Sequence, residues 1–83
     1  MSLYIRISSE IVRLHDGRWN KVSVASDDLS EVHRIAREMC THRTTVASRV
    51  LAEPHETPEG FSTELLVRSS EDLDISVFDN APA

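Results

Sequence analysis

The sequence predicts an α+β two-layer sandwich: a five-stranded, mostly antiparallel sheet with one helix across one face, in the order β-β-α-β-β-β. Three observations carry that expectation. Only Leu29–Thr41 spaces its apolar residues at helical intervals, every other apolar run alternates with period two, and Asp16-Gly17 separates two such runs as a hairpin signal. One amphipathic helix and several half-apolar strands bury their faces most simply against each other.

The first two strands are expected over 4–14 and 19–26. With Asp16-Gly17 as the turn, Leu14 faces Trp19, Val12 faces Lys21 and Ile11 faces Val22. Ile5, Ile7 and Ile11 then share one face with Val22 and Val24, and that face meets the helix. The opposite face carries Tyr4, Arg6, Lys21 and, at its turn end, the apolar cluster Val12, Leu14 and Trp19. A cluster aimed away from the only helix is either a docking patch or is covered by another part of the chain.

The helix is expected to start at Asp28, with Glu31 three residues on in the spacing of a capping box. Leu29, Val32, Ile35, Ala36, Met39 and Cys40 fall within roughly 140° of arc at about 100° per residue, and form the core stripe. His42 and Arg43 follow the last turn, where positive charge is favoured. Residues 44–53 are rich in β-branched side chains and make a third strand. Residues 54–60, with two prolines and a glycine, read as a loop. A fourth strand spans 61–69, and a fifth, alternating strictly, spans 73–79. These elements form one domain over 3–79, followed by a disordered tail at 80–83.

Composition bounds the function. An 83-residue chain with 40% hydrophobic residues is one small globular domain. The lone Cys40 cannot form an internal disulfide, and neither an export signal nor a membrane-length apolar run is present, so a cytoplasmic setting is expected. The net charge of -5 is unevenly divided. Residues 1–49 hold eight of the nine Lys and Arg against six acids, and 50–83 hold Arg68 against eight acids. An acidic half opposes direct nucleic-acid binding, which relies on phosphate neutralisation, and suits a basic protein partner.

Catalytic and metal readings find little support. His33 and Cys40 are about two helical turns, roughly 10 Å, apart, too far to share an ion. His42 points elsewhere, His15 lies in a turn, and His55 lies in an acidic loop. The acidic pairs Asp27-Asp28 and Glu71-Asp72 mark a cap and a turn, and Gly17 and Gly60 stand alone rather than in a phosphate loop. No enzyme, metal or cofactor is expected. The outward helix face offers Ser30, His33, Arg34, Arg37, Glu38 and Thr41, and arginine is the side chain most suited to gripping a protein partner bidentately.

Leu29-Ser30, Arg34-Ile35-Ala36, Thr45-Val46 and the opening Tyr4-Ile5 together resemble the ninth type I-F anti-CRISPR family, which has the same β-β-α-β-β-β order. Members are small phage-encoded inhibitors that bind the backbone subunits of a type I CRISPR surveillance complex, Cascade, and obstruct target DNA. The resemblance implies a non-catalytic inhibitor acting in the host bacterial cytoplasm, as a monomer or weak homodimer, with the helix face as its partner-binding surface. Arg34 carries over directly. His33 and Glu38 stand where the family has lysine, and Cys40 where it has glutamine. The alternative is a small adaptor or homo-oligomerising domain using Val12, Leu14 and Trp19.

Overall fold

The computed structural model describes residues 4–78. Four strands, β1 (Ile5–Leu14), β2 (Gly17–Ser26), β3 (Thr45–Thr57) and β4 (Gly60–Ser69), form one fully antiparallel sheet in the order β1-β2-β4-β3. The helix α1 (Leu29–Thr41) crosses one face over β4, β3 and β2. The expected five-stranded sheet is therefore corrected to four strands, and the β-β-α-β-β-β order to β-β-α-β-β followed by a 3-10 turn. The five-strand order that the sequence resemblance drew on is not adopted by the described residues.

The expected fifth strand fails for a local reason. Asp74 Oδ1 accepts hydrogen bonds from the Ser76 amide at 3.0 Å and the Ser76 hydroxyl at 2.6 Å, capping the 3-10 turn Ile75–Val77. Short polar side chains that bond the backbone in this way compete with ladder pairing. The turn swings Phe78 inward to 4% exposure, edge-on to the His42 ring at 5.4 Å. Phe78 and Leu73 thus pack on the core beside Ile5 and Ile7, and the 3-10 turn lies against β1, the strand the helix does not cover. Asp79 and the tail at 80–83 lie outside the described residues.

The first hairpin keeps its faces but not its expected register. Leu14 pairs with Gly17, Val12 with Trp19 and Ile7 with Val24, so His15-Asp16 forms the turn. Each strand residue has slid by two positions from the Asp16-Gly17 expectation, which preserves inward and outward parity. Among the described residues none other than glycine has positive φ, so Asp16 does not take the left-handed conformation that an Asp-Gly turn of type I′ demands. Gly17, at φ +121°, instead opens β2. Asp16 is held where it is by Arg49 of β3 and Arg68 of β4.

The second hairpin also departs from expectation. Residues 54–57 continue β3 instead of forming a loop, and Pro58-Glu59 alone makes the turn. Register shifts between Thr45 and Ala47, Val50 and Ala52, and Ala52 and His55 accommodate the extra residues, with Pro54 in the last. A proline without an N–H is tolerated there because β3 is an edge. Gly60 has φ +142°, and a Cβ on it would lie 2.6 Å from the Ser26 carbonyl oxygen, so only glycine fits this close approach.

The helix begins and ends where the periodicity predicts. Asp28 Oδ1 accepts from the Ser30 amide at 2.9 Å and the Ser30 hydroxyl at 2.7 Å. Glu31 does not complete the capping box. Its carboxylate is taken by Arg34, and the Asp28 amide donates instead to the buried Ser26 hydroxyl at 3.1 Å. Val32, Ile35 and Met39 are fully buried, and Ile35 and Met39 pack with Val22, Val24, Leu65 and Val67. The real stripe is narrower than expected, for Leu29 stays 38% exposed and Ala36 and Cys40 are half-buried.

Three carboxyls are held below the ordinary aspartate value of 3.8. The Ser30 hydroxyl and amide lower Asp28, the Trp19 indole N–H and then Arg49 lower Asp16, and the Ser76 hydroxyl and amide lower Asp74. A carboxyl whose folded value lies below its unfolded one stabilises the fold above about pH 4, and that contribution is lost as pH falls through the folded value. The thermal midpoint is therefore expected to be flat near neutrality and to fall steadily below pH 4. Asp28→Asn, which keeps a capping oxygen, is expected to hold the neutral-pH midpoint and flatten the acid limb, as read by circular dichroism melts across pH.

Candidate functional site

The helix face divides into two flanks with different chemistry. On one flank, Arg34 is bridged to Glu31 through Nε and to Glu38 at 3.1 Å through Nη1. Its side chain is 32% exposed, and these acids, Glu31 first, hold its proton more firmly than in an ordinary arginine. Arg34 is thus fixed in one geometry, with its charge largely answered by its own helix. Glu38 is more exposed than Glu31, at 49% against 13%. A partner carboxylate would have to compete with both.

Ser30, His33, Arg37 and Thr41 are exposed on the outward side. The Thr41 hydroxyl donates to the Arg37 carbonyl at 2.9 Å, and the Ser30 hydroxyl is committed to Asp28. Their free hydrogen-bonding capacity is smaller than their exposure implies. No ion pair is formed by the Arg37 guanidinium among the described residues.

His33 and Arg37 also border a shallow groove of about 200 Å³ between α1 and β3. Its floor holds Ala36, Cys40, Leu65 and Val50, the last 52% exposed. Glu53 and Pro54, delivered by the β3 irregularity, close one side. The structure therefore brings together only part of the predicted set. His33 and Arg37 meet an apolar strip, Ser30 and Thr41 flank them, and Arg34 and Glu38 lie on the flank away from the groove. Sequence reasoning missed Val50 and Pro54, because their approach to the helix depends on bulges in β3 that periodicity does not reveal.

The second predicted patch has a different character. Trp19 lies on the sheet face away from the helix, yet it is only 2% exposed. The Arg68 guanidinium stands 4.1 Å from its ring centroid and that of Arg49 stands 4.8 Å away. Its indole N–H donates to Asp16 Oδ1 at 3.0 Å, Arg49 donates to Asp16 Oδ2 at 3.0 Å, and Arg68 donates to the Asp16 carbonyl at 2.8 Å. Asp16 and two arginines from β3 and β4 thus roof the ring. Val12 is half-buried and Leu14 is 39% exposed, so the free apolar area of this patch is small.

Among the described residues no group of three or more His, Cys, Asp or Glu side chains is placed to hold a metal ion, and no helix is long and apolar enough to cross a membrane. Comparison with family models, with curated proteins and with solved structures finds no match to this chain.

Proposed function

We propose that the chain is a non-catalytic binding protein that docks through the outward side of α1 on a larger assembly, the anti-CRISPR resemblance pointing to a type I CRISPR surveillance complex whose access to target DNA it obstructs. What supports the reading is the pairing of Arg37, an exposed cation with no ion pair among the described residues, with an apolar strip at Val50 and Pro54 beside it. An arginine next to desolvatable apolar surface has the composition of an interface hot spot. His33, Ser30 and Thr41 add polar contacts around it, and the pre-fixed Arg34 contributes rigid surface with Glu38 at its margin. The acidic residues of 50–83 would steer the domain to basic, nucleic-acid-binding surface and raise its association rate.

The test is electrophoretic. Purified protein is added to type I effectors of several subtypes before labelled target DNA. Loss of the effector–DNA band is expected for at least one subtype, with Arg37→Glu requiring roughly tenfold more protein for the same loss. Unchanged target binding across the panel overturns the CRISPR reading. An inhibition that Arg37→Glu leaves intact overturns the helix face as the contact.

A further inference from the structure

We infer that β1 is a dimerisation edge, on which a second copy of this chain pairs antiparallel about a two-fold axis at Ser8, setting Arg6 of each copy opposite Glu10 of the other. The sheet has two edges, and they differ. Along β3 the ladder shifts register three times and contains Pro54, features that blunt an edge against further pairing. Along β1 ten residues run without a bulge or a proline. That edge is the one left continuous.

The hydrogen-bonding phase of β1 is set by its own hairpin. A two-residue turn closes on a hydrogen-bonded pair, here Leu14 and Gly17, so the even-numbered residues of β1 direct their amides and carbonyls to β2. The odd-numbered residues, Ile5, Ile7, Ser9 and Ile11, direct theirs outward. An axis at Ser8 pairs Ile5 with Ile11 and Ile7 with Ser9 of the second copy, odd with odd, each pair exchanging two hydrogen bonds. The phase therefore matches the register.

Side chains agree with that register on both faces. On the helix side, Ile11 is 62% exposed although it belongs to the apolar face, and the pairing lays it against Ile5 of the second copy, next to Ile7. On the other side Arg6 meets Glu10 twice by symmetry, in non-hydrogen-bonded positions where cross-strand side chains are closest. Within one copy Arg6 has only a 3.5 Å contact with Glu59, both side chains about 70% exposed, and Glu10 has no ion pair among the described residues. Charge on an edge ordinarily discourages pairing, but opposite signs four residues apart are self-complementary in this one register. Arg13 falls beyond the paired stretch.

Sedimentation equilibrium from micromolar to millimolar protein tests the inference. The wild-type mass is expected to rise from 9.4 kDa towards twice that value. Arg6→Glu and Glu10→Arg, each of which sets like charges opposite one another twice, are expected to weaken self-association about tenfold, and an equimolar mixture of the two to restore it. Ser9→Pro, which removes an outward N–H that the monomer's ladder does not use, is expected to stay folded by circular dichroism and remain at 9.4 kDa. A wild-type mass of 9.4 kDa throughout overturns the proposal. So does a dimer that survives both the charge reversals and the proline, since it would form through another surface.

Discussion

Phe78→Ala is expected to destabilise the domain by about 3 kcal/mol, in the range for removing a buried aromatic side chain. A domain of 83 residues has about 8 kcal/mol in total at the usual stability of about 0.1 kcal/mol per residue, so the loss is a large fraction. Phe78 is 4% exposed, stacks edge-on to His42 at the end of α1 and closes the core over β1, which the helix leaves uncovered. Urea unfolding should show a midpoint well below wild type. Val77→Ala, at a residue 52% exposed and outside the core cluster, should shift it little. A fifth strand with Leu73, Ile75 and Val77 on its inward face would turn Phe78 outward, so a loss at Val77 as large as that at Phe78 would contradict the capped 3-10 geometry.

The contrast explains what could be read from residues alone. The helix was legible to both ends because its signals are local: Asp28 and Ser30 cap it, and Val32, Ile35 and Met39 recur at its own period. The sheet faces were legible because parity survives a slide of two, so Ile5, Ile7, Val22 and Val24 share the helix side despite the changed register. Strand identity in 73–79 was not. Alternation there matches a strand, but Asp74 and Ser76 can satisfy the backbone locally, and nothing in the sequence weighs that bond against an open edge.

The candidate site was legible in the same uneven way. Exposure of Ser30, His33, Arg37 and Thr41 followed from helical angle, whereas the commitment of Arg34 to Glu31 and Glu38 is a choice among rotamers that spacing permits without requiring. The groove beside Arg37 needed the bulges of β3. The turn at His15-Asp16 needed Arg49 and Arg68, which reach Asp16 from strands far along the chain. Asp-Gly chemistry favoured one turn, and tertiary contacts to Asp16 fixed another.

Those contacts make Trp19→Ala the second large effect, with an expected loss of about 3 kcal/mol or more. Ring burial dominates, because each guanidinium–ring contact contributes only about 0.5–1 kcal/mol where the cation reaches solvent. Were Trp19 a free docking residue, the alanine variant would fold like wild type and fail only in binding. At 2% exposure under Arg49 and Arg68 it is part of the structure, so the unfolding midpoint should fall first. Tryptophan fluorescence gives an independent check on the roof itself, since this is the chain's one tryptophan. Arg68→Ala removes the closer guanidinium and the bond to the Asp16 carbonyl, and is expected to shift emission to longer wavelength while the domain stays folded. Unchanged emission in Arg68→Ala, together with wild-type stability in Trp19→Ala, would mean that the ring is not held under the arginines and would return it to the surface as a candidate contact.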